Sequence, residues 1–206
     1  MASLYQLKPA FQNRLRPLAG ALARAGVTPN QVTLAALLLS LIAGGVLALF
    51  PASPAALLAI PAVMLVRMVL NALDGMLARE YKLQTVAGGF LNELCDVLSD
   101  AALYLPFTLV LPAAAAWIVL FTIFAILTEF AGVLTLALGA SRRSDGPMGK
   151  SDRAALIGLL AWLLGIGVAP GSWCVMLLAA ASALALLTVF RRIKCGAIEL
   201  DERRTG

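Results

Sequence analysis

Apolar segments about twenty residues long follow one another along most of the chain, and this pattern limits the fold more than any other feature of the sequence. A run of that length crosses the hydrocarbon core of a bilayer as an α-helix, because a helix satisfies its own backbone hydrogen bonds without water. Six such runs are present, at about 31–50, 54–79, 86–111, 113–139, 151–169 and 172–192. The hydrophobic fraction of 61% and the mean hydropathy of +0.92 are typical of a polytopic membrane protein. The sequence therefore predicts an all-α integral membrane protein with six transmembrane helices.

Basic residues give the predicted bundle an orientation. Fifteen of the sixteen Lys and Arg residues lie before the first apolar run, after the last one, or at the connections that follow the second and fourth runs. The exception is Arg67, inside the second run. Because cytoplasmic connections are enriched in Lys and Arg, both termini are predicted to be cytoplasmic. The net charge of +5 is explained by this orientation and by anionic lipid, so nucleic acid is not an expected partner.

The chain divides into three predicted parts. Residues 1–30 place leucines at helical spacing among basic residues, which predicts an amphipathic interfacial segment that contacts membrane lipids and is interrupted near Pro17. Residues 31–193 form the predicted six-helix transmembrane catalytic domain, and residues 194–206 form a cytoplasmic tail. We expect a multi-pass protein of the bacterial inner membrane.

Two polar stripes interrupt the second and third runs. Positions 67, 71, 74 and 78 share one helical face, as do positions 88, 92, 96 and 100, since both sets advance by three or four residues. For two antiparallel helices joined near 80–85, residues at equal depth have numbers that sum to roughly 167. This register predicts the pairs Ala78 with Gly88, Asp74 with Asn92, Asn71 with Asp96, and Arg67 with Asp100. Because a charged side chain in hydrocarbon is costly, the clustering predicts a functional site.

The side chains of these stripes carry oxygen ligands. The chain contains no histidine, so carboxylates must supply any acid–base catalysis. Carboxylate and amide oxygens suit a hard divalent cation, which would also neutralise charge within the membrane. The sequence therefore predicts Mg²⁺ or Mn²⁺ at this site. The alternative is a polar network that only holds the helices together.

The spacing of these residues resembles the signature of the CDP-alcohol phosphotransferase superfamily, D-x2-D-G-x2-A-R-x8-G-x3-D-x3-D. Six of its eight fixed positions match, and they are Asp74, Gly75, Ala78, Arg79, Gly88 and Asp96. Asn71 and Asn92 stand where the other two aspartates are expected. The segment 28–33 and the six-run layout extend the resemblance over most of the chain. In this respect the chain resembles a bacterial branch of the superfamily that has asparagine at the same two signature positions.

Enzymes of this superfamily move a substituted phosphate from a CDP-linked donor, often CDP-diacylglycerol, to an alcohol and release CMP. The resemblance implies that Asp96 is the base that accepts the hydroxyl proton and that Asp74 is a second catalytic acidic residue. The implied metal ligands are Asp74, Asp96, Asn71, Asn92 and Glu93. The implied CDP-binding residues are Asn30, Thr33, Asp74, Gly75, Ala78, Arg79 and Gly88. The resemblance also implies a homodimer and an active site that faces the cytoplasm.

Charge predicts further site residues. Two Asp→Asn changes remove two negative charges, and Glu93 and Asp100 are the predicted replacements, with Asp100 as a third catalytic candidate. The polar stretch 141–153 is predicted to bind the acceptor, a polar alcohol that is either free or phosphorylated. The alternative is that membrane topology alone places basic residues there. Its acceptor-binding candidates are Arg142, Arg143, Lys150 and Arg153. Glu129, inside the fourth run, either lines the same cavity or makes a helix-packing hydrogen bond.

Two other classes of protein stay open. A cation or lipid transporter explains buried acids, but it gives no reason for the small residues at 75, 78 and 88. A catalytically inactive member of the superfamily, acting as a membrane lipid-binding or scaffold protein, predicts that Asp74→Asn and Asp96→Asn leave biological activity intact. Metal-dependent CMP release separates the enzyme from both alternatives.

Overall fold

The computed structural model describes residues 4–205, and helices make up most of that range. The elements follow in the order α1 Leu4–Arg24, α2 Pro29–Leu49, α3 Pro54–Glu80, α4 Val86–Tyr104, α5 Phe107–Val110, a 3₁₀ turn at Pro112–Ala114, α6 Ala115–Ala137, α7 Lys150–Gly165 and α8 Ser172–Thr205. No β-strand occurs within residues 4–205, which confirms the predicted all-α class.

Three of the helices begin with a hydroxyl cap. Thr28 accepts a hydrogen bond from the backbone N–H of Gln31 and donates its own N–H to the Gln31 side chain, so α2 begins with a capping box. Ser53 caps α3, and a proline follows directly at the first helical position. Thr85 caps α4 by accepting from Gly88 N at 2.9 Å. The start of α4 lies next to the start of α2, where Gly88 is in close contact with Asn30.

Four helical segments are long and apolar enough to cross a membrane by length and composition: Pro29–Leu49, Pro54–Glu80, Pro112–Ala137 and Ser172–Arg204. The other two predicted spans depart from the simple pattern. The run at 86–111 is not one helix, because α4 ends at Tyr104 and Pro106 precedes a separate short helix. Helix α7 has 16 residues and is about 24 Å long, which is shorter than a hydrocarbon core of about 30 Å.

The terminal segments are longer helices than the sequence suggested. The predicted interruption of the N-terminal segment near Pro17 is wrong, since α1 continues from Leu4 to Arg24. Pro17 and Asn13 are both exposed, so water can reach the Asn13 carbonyl that loses its helical partner. At the other end, α8 continues through the predicted tail to Thr205. Residues 1–3 and 206 lie outside the described residues.

Helix packing gathers the polar stripes around α2 and α6. Helix α2 packs against both α3 and α4, α4 also packs against α6, and α3 packs against α7. The crossing of α2 and α4 depends on Gly44, because a Cβ there would overlap the carbonyl group of Ala102. A separate apolar cluster joins α1 to the bundle through Ala19, Leu73 and Met76. The polar ends of α2, α3 and α4 are thereby held together.

Candidate active site

The deeper half of the two polar stripes meets as the register predicted. Arg67 Nη1 of α3 lies 2.6 Å from Asp100 Oδ1 of α4, and both side chains are about 5% exposed. One turn nearer the polar end, Asn71 Nδ2 donates to Asp96 Oδ1 at 3.1 Å. The structure confirms these two contacts. They show that α3 and α4 present their polar faces to each other at this depth.

The outer half of the stripes turns toward α2 instead. Thr33 Oγ1 donates to Asp74 Oδ2 at 2.8 Å, and Asp74 is only 6% exposed. A Cβ on Gly88 would lie 2.6 Å from Asn30 Oδ1, so these two residues are in close contact. No hydrogen bond joins Asp74 to Asn92 within residues 4–205. The predicted pairing at this level is therefore replaced by contacts with the first turn of α2.

Asp96 of α4 lies at the centre of the site, where two other helices, α3 and α7, supply its partners. Besides Asn71, the ammonium group of Lys150 at the start of α7 lies 2.5 Å from Asp96 Oδ2. Arg67 Nη2 donates to the backbone carbonyl of Asp96 at 3.0 Å and lies 3.6 Å from its Oδ1. The Asp96 side chain is 18% exposed. This carboxylate is thus charge-compensated and held in position, and it remains accessible.

Glu93, another predicted metal ligand, is paired with a basic side chain in this structure. Its carboxylate is held by Arg142 in a two-bond contact, with distances of 2.5 Å and 2.9 Å. Among the side chains that the structure describes, no group of three or more His, Cys, Asp or Glu residues is arranged to hold a metal ion. The carboxylates left for a cation are Asp74 and Asp96. Asn71, which bonds to Asp96, adds an amide oxygen, and Asn92 lies half-buried one turn before Asp96.

Asp100, the third predicted catalytic residue, is buried and paired with two arginines, and its catalytic role stays a prediction. Its Oδ1 pairs with Arg67, and its Oδ2 lies 3.3 Å from Arg153 Nη2. Asp100 is 4% exposed. Its position between two guanidinium groups makes Asp100 an ion-pair residue that joins α3, α4 and α7.

The four basic residues predicted to bind the acceptor do not form one cluster. Arg142 pairs with Glu93, and Lys150 pairs with Asp96, so both face the site. Arg153 is fully buried, where it donates to Thr128 Oγ1 and pairs with Glu129 and Asp100. Its guanidinium group is enclosed by protein and already paired, and its direct contact with an acceptor stays a prediction.

Arg143 lies on the far side of the connection between α6 and α7, residues 138–149. It bonds to Asp145 at 2.7 Å and to Glu199 of α8 at 3.2 Å. The hydrogen bond to Asp145 raises the pKa of the Arg143 guanidinium. Arg143 thus ties the connection to α8 and is separated from the residues around Asp96.

Sequence reasoning missed the contribution of Arg192 and gave Glu129 no partner. Arg192 is 3% exposed, and its Nη1 lies 3.6 Å from Glu129 Oε1 and bonds to the carbonyl group of Thr128. In the sequence, Arg192 looks like one of the flanking basic residues after the last span. The continuation of α8 brings it back into the bundle.

The small residues of the signature lie beside the exposed Arg79. Its Nε donates to the Gly75 carbonyl at 3.1 Å, and a Cβ on Gly75 would lie 2.9 Å from its Nη2. An open surface cavity adjoins this point between α1 and α3, lined by Gln12, Met76, Arg79 and Glu80. Gly75 therefore lets the guanidinium group lie close to the helix backbone. Ala78 is half-buried on the same helix.

Apolar helices that enclose carboxylates, amides and paired cations define a membrane protein with a polar site inside its helix bundle. Residues 26–191 match the family model for CDP-alcohol phosphatidyltransferase. The chain belongs to this enzyme family, which confirms the superfamily resemblance of the signature.

Two curated relatives cover most of the chain. The inner membrane protein YnbA of Escherichia coli is 46% identical over 194 residues, which are 93% of this chain and 95% of that protein. The archaetidylinositol phosphate synthase of Pyrococcus horikoshii is 31% identical over 151 residues, which are 69% of this chain and 77% of that protein.

Solved structures share the fold. The crystal structure of Mycobacterium tuberculosis phosphatidylinositol phosphate synthase, PgsA1, with CDP-DAG bound is 22% identical and has a TM-score of 0.72. The similarity covers 87% of this chain and 92% of that one. The same protein in complex with manganese and citrate gives a TM-score of 0.72 at 21% identity, over 87% of each chain.

Proposed function

We propose that this protein transfers a phosphatidyl group from CDP-diacylglycerol, or a similar CDP-alcohol, to the hydroxyl group of a polar alcohol and releases CMP. The observation that carries the proposal is the arrangement of Asp74 and Asp96. The two carboxylates lie among amide, hydroxyl and ammonium partners from α2, α3 and α7. The chain belongs to a family whose signature spacing it keeps between Asn71 and Asp96.

The donor is expected to lie between the polar end of α3 and the first turn of α2. Asn30, Gly88, Thr33 and Asp74 meet there, and Arg79 offers a forked donor to the pyrophosphate. An apolar groove between α2 and α4 could hold the acyl chains. The groove is lined by Leu37, Leu41, Gly44, Gly45, Ala48, Leu98, Ala101, Ala102, Leu105, Pro106 and Leu109. CDP-DAG bound in the related PgsA1 structure supports a donor of this kind.

The residues present fit a divalent cation. Lys150 already places an ammonium group 2.5 Å from Asp96, which shows that this position accommodates positive charge. Asp74 and Asp96, with the amide oxygens of Asn71 and Asn92, would supply hard oxygen ligands for Mg²⁺ or Mn²⁺. When bound, the cation would screen the pyrophosphate and stabilise CMP as the leaving group.

Asp96 is the proposed base. It accepts the proton of the acceptor hydroxyl while that oxygen forms a bond to the phosphorus of the phosphatidyl group. The bond from this phosphorus to the bridging oxygen of CMP breaks, and CMP leaves with the electron pair. Asn71 and Arg67 hold the Asp96 carboxylate and backbone in place, and Lys150 pairs with the carboxylate from α7.

We place the site at the cytoplasmic face of the bacterial inner membrane, with both termini on that side. This proposal follows from the distribution of basic residues and from the relative that is named an inner membrane protein. Helix α7, and α4 together with α5, would complete six spans with the four long apolar helices. A homodimer is proposed from the superfamily resemblance.

The test is CMP release by the purified protein in detergent, with CDP-diacylglycerol, Mg²⁺ or Mn²⁺, and a panel of polar alcohols. Asp74→Asn and Asp96→Asn should each lower the rate about a hundredfold or more, and EDTA should abolish it. Asp201→Asn, on the exposed end of α8, is the matched control and should leave the rate unchanged. Binding of CDP-diacylglycerol without CMP release from any acceptor would favour the alternative, a catalytically inactive lipid-binding or scaffold protein.

A further inference from the structure

Arginines that the proposed chemistry does not use surround a half-buried carboxylate of α6, that of Glu129. We propose that Glu129 fills an anion subsite on the acceptor side of the active site, and that the acceptor is therefore a polar alcohol without a phosphate group. The acceptor class belongs to the same site, so it rests on the proposed function.

Three guanidinium groups from separate segments converge on Glu129. Arg153 Nη2 of α7 lies 2.8 Å from Glu129 Oε1, and Arg192 Nη1 of α8 lies 3.6 Å from the same oxygen. Arg142 Nη2 of the α6–α7 connection lies 3.8 Å from Glu129 Oε2. The side chains of Arg153 and Arg192 are only 0% and 4% exposed. Converging guanidinium groups form the kind of donor set that binds phosphate, and here a carboxylate takes its place.

This cluster lies one helical turn from the proposed base on two helices. In α4, Glu93 precedes Asp96 by three residues and binds the same Arg142 that approaches Glu129. In α7, Lys150 binds Asp96 and precedes Arg153 by three residues. Residues three apart are neighbours on one face of a helix. A group at the position of Glu129 therefore lies on the acceptor side, away from the CDP-binding candidates of α2 and α3.

The side chains around the site already balance one another in charge, and the proposed cation would be offset by the pyrophosphate of the donor. Five basic side chains accompany five acidic ones, and they are Arg67, Arg142, Lys150, Arg153 and Arg192 with Asp74, Glu93, Asp96, Asp100 and Glu129. Both basic residues that face Asp96 from the acceptor side are paired with carboxylates. A phosphate on the acceptor would bring about two more negative charges. Displacing Glu129 would leave its carboxylate half-buried without a counter-charge.

The test compares alcohols with their phosphate esters, namely myo-inositol with inositol phosphate and glycerol with glycerol 3-phosphate. The wild-type protein should show the higher kcat/KM with the unphosphorylated member. Glu129→Gln should shift the ratio at least about tenfold toward the phosphate ester, because the arginines lose their internal anion. Glu129→Asp keeps the charge and should keep the wild-type preference. Glu199→Gln is the control, since Glu199 is also held by two arginines, Arg143 and Arg203, which are different from the three around Glu129.

A second readout uses inorganic phosphate and needs no turnover. Millimolar phosphate should raise the thermal midpoint of Glu129→Gln but not that of the wild type or of Glu199→Gln. A wild-type preference for the phosphate ester overturns the proposal, and so does a Glu129→Gln protein that gains neither phosphate binding nor phosphate-ester use. If Glu129→Gln does not fold, the wild-type preference decides alone. If no acceptor releases CMP, the proposed transferase fails, and the phosphate-dependent shift still tests the anion subsite.

Discussion

The ion pair between Arg67 and Asp100 should be energetically coupled, and the two partners should not be equivalent. Asp100 serves two guanidinium groups, Arg67 at 2.6 Å and Arg153 at 3.3 Å. Asp100→Asn therefore removes one counter-charge from each of two buried cations, which keep only Asp96 and Glu129 as charged partners. Arg67→Met leaves Asp100 paired with Arg153. We expect Asp100→Asn to be the more damaging single change.

The magnitude follows from the burial of the pair. Removing one partner of a buried ion pair costs about 3–5 kcal/mol, and Arg67 and Asp100 are both about 5% exposed. For a chain of this length, each kcal/mol corresponds to roughly 2–4 °C in the thermal midpoint. Asp100→Asn should thus lower the midpoint by roughly 6–20 °C. The double variant should be more stable than the sum of the single effects by about 1–3 kcal/mol.

The assay is thermal unfolding in detergent at a fixed scan rate, followed by intrinsic tryptophan fluorescence, for the wild type, both single variants and the double variant. The exposed pair Arg16 and Glu80 provides a matched control cycle, in which no coupling is expected. Strictly additive effects at Arg67 and Asp100, or a midpoint for Asp100→Asn equal to that of Glu80→Gln, would refute the reasoning.

Two further predictions concern close contacts. Gly44→Ala should lower the thermal midpoint, because the added Cβ would overlap the carbonyl group of Ala102. Gly45→Ala is the control and should be neutral, since its Cβ would meet no atom within 4 Å. Equal midpoints for the two variants would contradict the packing of α2 on α4. Asn71→Asp replaces the hydrogen-bond donor to Asp96 by a negative charge. In EDTA, the thermal midpoint of this variant should be lower than that of the wild type. Addition of Mg²⁺ should raise the midpoint of the variant by more than it raises that of the wild type. A Mg²⁺ response identical to that of the wild type would argue against a cation at this position.

Contacts between consecutive helices could be read from the sequence. The pairs Arg67 with Asp100 and Asn71 with Asp96 follow from helical rise and the length of one short connection, which are local quantities. The same reasoning failed nearer the connection, where Asp74 bonds to Thr33. No local rule states that a third helix supplies the partner. That outcome depends on how α2 packs against both stripes.

The arginine cluster could not be predicted for a related reason. Glu129 and Arg192 are 63 residues apart in sequence, and each alone has an ordinary explanation, as a packing residue and as a flanking cation. Only the packing of α6 on α8 brings them together. The break of the third predicted span at Pro106 was visible in the sequence as a proline within an apolar run. Its effect on the number of membrane spans depends on how α5 packs, which periodicity does not determine.

The neighbours of α4 separate the paths of the two proposed substrates. On one flank, the groove between α2 and α4 is open at the surface and lined mostly by apolar side chains. On the other, the α6–α7 connection is fastened to α4 by Arg142 and to α8 by Glu199. A lipid would thus arrive sideways from the bilayer, while a water-soluble alcohol would enter under the polar connection. The phospholipid product could leave along the groove without crossing the path of the next alcohol. Helix α4 would therefore separate a lipid-accessible path from a water-accessible one.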